Sequence, residues 1–295
     1  MFQLQKFAIC FAGISIGFCF PSKVYVSKEF EEFLVEDERE TDVVYEIRLL
    51  DKPLQLSGVS VSSHMGIQVY KTEEGILRDY ISLVAENGCQ VACLLRNNQK
   101  HILYYPALKW DYYSRDLNLL YLLGIEEVLI KHQALLLHSS VVKMGENTVL
   151  FSGPSGIGKS TQARLWEKYL GAKVINGDRC VIRKKENAFW GCGSPWSGTS
   201  GIYSKEKAPI KGIFILKQAS ENSVRKLGIE AFKALYSQCI VNTWDRSFME
   251  QITERLTGLL ESVPIYELSC RPDKESVELA YHTLFEGGIP DGSKD

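Results

Sequence analysis

The sequence predicts an α/β (or α+β) protein with a mixed sheet in its core and a β-rich region before it. Three observations predict this. "NTVLFSG" is an apolar run ending in glycine, and "KSTQARLWEKYL" follows with helical spacing. From Ala134 onward, strand-like and helix-like segments alternate. Before that, short apolar runs are separated by turn or charge clusters such as "EDERETD". The expected division is a β-rich region over 1–114 and a nucleotide-binding domain with C-terminal helices over 115–295.

The elements follow in order. "KFAICFA", "SIGFCF", "DVVYEIRLL", "MGIQVYKT", "GCQVACLLR" and "KHILYYP" read as strands of an antiparallel region. The apolar residues 7–20 are too short to cross a bilayer, and no small-x-small cleavage site follows. A buried hairpin is expected there rather than a targeting segment. Leu119, Leu122, Leu123 and Leu129 give Arg115 to Gln133 helical spacing. "ALLLHSSVVKM" is a strand or half of a hairpin. "AKVING" is a strand, "CVIRKKENAFWGCG" a hairpin turning at Lys185–Asn187, and "APIKGIFILKQA" a further strand. Helices are expected from "IEAFKALYSQCI" through "RSFMEQITERLTGLLESV". "PIYELSC" is a strand, and "DKESVELAYHTLF" is a helix opened by an Asp cap. "GGIPDGSKD" is read as a frayed tail.

Lys plus Arg number 34 against 36 Asp plus Glu, a net charge of −2, so no basic excess argues for nucleic acid. No membrane association is expected. Five His and a C-x3-C pair, Cys89 and Cys93, give no zinc spacing. The eight cysteines lie mostly in apolar surroundings, as small core residues of a reducing cytoplasm would.

Gly153, Pro154, Ser155, Gly156, Ile157, Gly158, Lys159, Ser160 and Thr161 carry the Walker A pattern G-x-x-x-x-G-K-[ST]. Its glycines let backbone N–H groups turn inward on phosphate oxygens. The next helix adds a positive N-terminal dipole. Lys159 would neutralise β- and γ-phosphates, and the Ser160 hydroxyl would hold Mg²⁺. ATP and Mg²⁺ are the expected ligands. Asp178 leaves the C-terminal end of the "AKVING" strand, where open α/β sheets hold ligands. It would hold the metal or take a proton from an attacking hydroxyl, unless it is a solvated turn residue. His138, alone in apolar "LLLHSSVV", is either a structural histidine or one placed beside phosphate and metal.

"HSSVVKMGENTVLFSGPSGIGKST", "VINGDRCVI" and a Gly/Ser-rich loop in that order resemble the HPr kinase/phosphorylase-like P-loop family. More distantly they resemble ATP-dependent phosphoenolpyruvate carboxykinase. The resemblance spans roughly residues 130 to 220 and is moderately specific as a set. It implies that Lys159 binds phosphate and Ser160 the metal. It makes Asp178 the second acid of a pair, serving metal binding and proton abstraction, and puts His138 near the transferred phosphate. The first acid is Gly177 here, and Thr161 stands where bifunctional HPr enzymes usually carry Glu. The pattern is closer to small HPr-kinase-like proteins of the peptide-modification type. "GSPWSGTSGIY", Gly193 to Tyr203, would then be a substrate-facing loop, or else a structural turn with Trp196 as a packed anchor. Arg179 and Arg225 are candidate phosphate neutralisers or ordinary surface arginines.

The expected activity is an Mg²⁺–ATP-dependent kinase moving the γ-phosphate to a hydroxyl of a peptide, protein or small molecule, serine first. Catalysis would rest on Asp178, His138 and Lys159, and the metal on Ser160 and Asp178. The alternatives are a nucleotide-binding regulatory or scaffold protein with little turnover, and carboxykinase-like phosphate chemistry. Homo-oligomers are compatible with the resemblance.

Overall fold

The computed structural model describes residues 3–35, 41–64, 66–81, 90–97, 100–107 and 120–285. The chain divides into two compact units, Met1–Val128 and Leu129–Asp295. Each holds one large mixed sheet, and six α-helices are described in all.

In the first unit the strands are β1 (Gln3–Phe11), β2 (Ile14–Tyr25), β3 (Val43–Leu50), β4 (Val59–His64), β5 (Ile67–Lys71), β6 (Ile76–Ile81), β7 (Gln90–Arg96) and β8 (His101–Pro106). They lie in the order β1-β2-β3-β8-β7-β6-β5-β4. The apolar residues 7–20 do form a hairpin. Ala12 and Gly13 both take positive φ, 51° and 73°, as a two-residue turn matched to strand twist requires. Phe7, Phe18, Phe20, Phe30 and Tyr45 are buried as one aromatic cluster.

The antiparallel expectation needs correction, because β2–β3 and β3–β8 run parallel. A parallel pair needs a crossover of a dozen residues or more, usually helical. Between β2 and β3 that crossover carries α1 (Lys28–Phe33), whose N-cap Ser27 accepts from Phe30 N. The helix expected over Arg115 to Gln133 also shortens. It is α2 (Ile125–Lys131), and Gly124 at φ +53° stops it from running back. Residues 115–119 lie outside the described residues, as do Cys89 and the tail.

A buried ionic cluster fixes the end of this unit. Arg78 pairs with Glu126 (2.6 Å) and with Glu127, and Arg96 also pairs with Glu127. Arg96 further donates to Gly124 O, and Tyr45 Oη to Leu123 O. Two cations and two anions offset one another, which is how buried charge is tolerated.

The second unit contains β9 (Ala134–Met144), β10 (Asn147–Ser152), α3 (Lys159–Leu170), β11 (Lys173–Asn176), β12 (Arg179–Lys185), β13 (Ala188–Cys192), β14 (Lys207–Gln218), β15 (Ser223–Lys226), α4 (Glu230–Tyr236), α5 (Arg246–Ser262), β16 (Ile265–Cys270) and α6 (Lys274–Leu284). Two long strands are shared along their length. β9 pairs with β12 over Ala134–His138 and with β10 over Ser139–Met144. β14 pairs with β13 at its start, then parallel to β10 and β16. Strand alternation feeds two cores. Val149 and Phe151 pack with Ala163, Trp166, Ala280 and Tyr281 of α3 and α6. Leu150 packs with Leu235, Phe248, Ile252 and Leu256 of α4 and α5. The sheet thus lies between two helical layers, and this sandwich holds β10 rigid where it ends.

Candidate functional site

Everything at the site hangs on the C-terminal end of β10. Phe151 and Ser152 are fully buried, and Ser152 Oγ donates to His138 O across the sheet. The chain then opens into the loop. Gly153 takes φ +144°, and a Cβ there would press on Ile157 and on the Leu216 carbonyl. Gly158 takes φ +113° as N-cap of α3 and offers no side-chain cap. The first-turn N–H groups of α3 therefore have no acceptor from their own cap, which leaves them for an anion. Gly156 and Gly158 both face open space. Pro154, Ser155 and Gly156 are exposed, Ile157 is half-buried, and Thr161 is exposed on the helix.

Lys159 is buried along its stem. Its Nζ donates to Gly153 O (2.9 Å) and Pro154 O (3.0 Å), folding the side chain over the loop. Burial lowers its pKa, and Asp178 opposes that shift. Ser160 Oγ donates to Gly177 O at 3.1 Å. The metal-type hydroxyl thus sits one residue from Asp178.

Asp178 is placed by Asn176, which sequence reasoning missed. This fully buried amide accepts Asp178 N (2.9 Å) and Arg179 N (2.8 Å) at Oδ1. Its Nδ2 donates to Ser194 O and Trp196 O, both at 3.0 Å. One side chain therefore fixes both the carboxylate turn and the 193–203 loop. The available signal was an Asn ending a buried strand just before Gly-Asp.

His138 is brought to Asp178 by the β9–β12 ladder. Ser139 N donates to Asp178 O (3.0 Å), and His138 Nε2 lies 3.6 Å from Asp178 Oδ1. Burial, then the Lys159 charge, lowers the imidazole pKa, with Asp178 opposing. Arg179 Nε lies 3.6 Å from Asp178 Oδ2. Arg225 is elsewhere: it pairs with Glu230 (2.9 Å) and Glu267 (3.5 Å) on β15, three strands across from β10.

The loop from Gly193 to Tyr203 covers Asp178. Trp196 is buried at 2% exposure, a packed anchor as the structural-turn alternative has it. Residues Gly198–Ser200 form a 3-10 turn, and Ser200 Oγ donates to Ser197 O at 2.6 Å. A Cβ on Gly177 would run into Ser200 Oγ and lie 2.5 Å from Ser200 Cβ. A Cβ on Gly198 would lie 2.6 Å from Asp178 Cγ. The space a side chain at Gly177 would take is thus filled by Ser200.

Among the described residues no group of three or more His, Cys, Asp or Glu could hold a metal by itself. A divalent ion here would draw on Ser160, Asp178 and phosphate oxygens, a hard oxygen set suited to Mg²⁺.

No family model matches the chain, and no curated protein does. Among solved structures, the HPr(Ser) kinase/phosphatase from Coxiella burnetii is similar at 14% identity and a TM-score of 0.31. That match covers 50% of this chain and 87% of the other. No helix among the described residues is long and apolar enough to cross a membrane.

Proposed function

We propose that the protein is an Mg²⁺–ATP-dependent phosphotransferase that moves the γ-phosphate to a hydroxyl, serine first among the candidates. One observation carries this reading. Ser160, on the phosphate-loop helix, is hydrogen-bonded to the residue preceding Asp178, so the phosphate end and the carboxylate end of the site are one unit.

Each residue then has a task. Loop N–H groups from Gly153 to Thr161 cradle the phosphates, and Lys159 neutralises them. Ser160 and Asp178 would hold Mg²⁺, which when bound screens phosphate charge. Asp178 takes the proton of the incoming hydroxyl. His138 lies beside that carboxylate, its Nε2 3.6 Å from Oδ1. Such transfer needs positioning and charge neutralisation more than covalent chemistry.

The test is ATP consumption in the presence of a serine-containing peptide library, with Asp178→Asn alongside. Turnover lost in the variant, with ATP binding kept, supports the reading. A second reading is a nucleotide-binding regulatory protein with little turnover, and the single carboxylate beside Gly177 favours it. Equal ATP binding and no turnover in either protein would select it.

A further inference from the structure

The residue that fills the side-chain space of Gly177 itself carries a hydroxyl. Ser200 Oγ occupies the side-chain space of Gly177, the residue whose carbonyl receives Ser160. The turn that carries it lies on the Asp178 carboxylate through Gly198. Lys159 and Arg179 bring positive charge to the same carboxylate. The turn therefore stands directly against the carboxylate.

The geometry points to Ser200 as an acceptor within the chain: the protein phosphorylates its own 193–203 loop. This rests on the phosphotransferase reading above. The Ser200 Oγ–Pγ bond forms while the bond from Pγ to the β-phosphate oxygen breaks. The hydroxyl proton, which Ser200 Oγ donates to Ser197 O in the resting turn, passes instead to the Asp178 carboxylate, and the nucleoside diphosphate leaves. The turn lies at the surface. It is bounded by Gly198 (φ +54°) and Gly201 (φ +67°), and Gly198 and Thr199 are exposed. A phosphate on Ser200 adds a charge of about −1.5 to −2 beside Asp178. Repulsion would then lift the turn off the carboxylate and open the site to an external hydroxyl.

The experiment incubates the full chain with Mg²⁺ and ATP and no added acceptor. Intact mass should rise by one phosphate, about 80 Da, and fragment spectra of the wild-type chain should place it on Ser200. The rate should not depend on protein concentration, because donor and acceptor share one chain. Ser200→Ala should lose the increment and Thr199→Ala keep it, with circular dichroism confirming that both variants fold. Phosphate on another residue overturns the proposal. So does an unmodified loop in a chain that phosphorylates added peptide, and in that case the phosphotransferase reading stands. Bound ATP that is never consumed overturns both.

Discussion

His138, on β9, and Asp178, in the bend just before β12, face each other at 3.6 Å, Nε2 to Oδ1, and Ser139 N donates to Asp178 O at that same level. The pair sets a pH dependence. The imidazole pKa is lowered in the folded protein from an ordinary 6.5, chiefly by burial. Below 6.5 the unfolded chain takes a proton there that the folded chain resists. Stability should therefore fall as pH drops through this window and be unaffected by His138 above it. His138→Gln should flatten that acid-side loss, as urea midpoints measured across the acidic and neutral range would reveal.

Asn176→Ala strips the acceptor from two backbone N–H groups beside Asp178 and the donor from two loop carbonyls. Each buried group left unpaired costs about 1–3 kcal/mol. Asp178 and Arg179 are only half-buried, so water recovers part of this, and a loss of about 2–4 kcal/mol in urea unfolding is expected, together with weakened turnover. Asn176→Asp keeps the acceptor but not the donor, and should keep more of the Asp178 geometry than the alanine does.

Gly177→Asp should not restore a second working carboxylate. Its Cβ meets Ser200, so the single variant should lose about 1–3 kcal/mol as an overpacked site does. Gly177→Asp with Ser200→Gly should recover that loss. Thermal unfolding of the wild type, both single variants and the double variant forms a complete cycle. An additive outcome would show that the two residues do not compete for space.

Lys159→Ala should weaken ATP binding by about 1.5–3 kcal/mol, or roughly 10- to 150-fold, since a charged donor to phosphate is lost. Titration calorimetry reads this directly. The loop should keep its shape, because Gly153 and Gly158 set it through their backbone angles.

In the first unit, Glu127 receives both Arg78 and Arg96. Glu127→Gln leaves two buried guanidinium groups against one remaining carboxylate. A cost of about 3–5 kcal/mol in urea unfolding is expected. Glu230→Gln, on an exposed pair with Arg225, should change little.

Much of the second unit was legible because its signals are local. The loop, the helix ended by Gly171, and the Asp273 cap, which accepts Ser276 N, are each written within a few neighbouring residues. Strands β4, β6 and β15 were not read. β4 and β15 are mostly exposed, and "ILRDYI" of β6 buries an Arg and an Asp that pattern reading assigns to solvent. The parallel pairings of β3 went unread because register between distant segments leaves no local mark. At the candidate site, Lys159, Ser160 and Asp178 were named from spacing, and the fold sets them side by side. Asn176 and Ser200 were not, because their importance lies in which backbone atoms and which glycine they meet after folding.

The parallel pairing of β10 with β14 sets a schedule for synthesis. Phe151 stands opposite Phe214, so the strand that launches the phosphate loop lacks one neighbour until the chain has been made through Gln218. A ribosome that has released only Gly153 to Ser160 has released the motif but not its support. Nascent chains ending after Cys192 should fail to retain nucleotide, and those extending past β14 should begin to hold it.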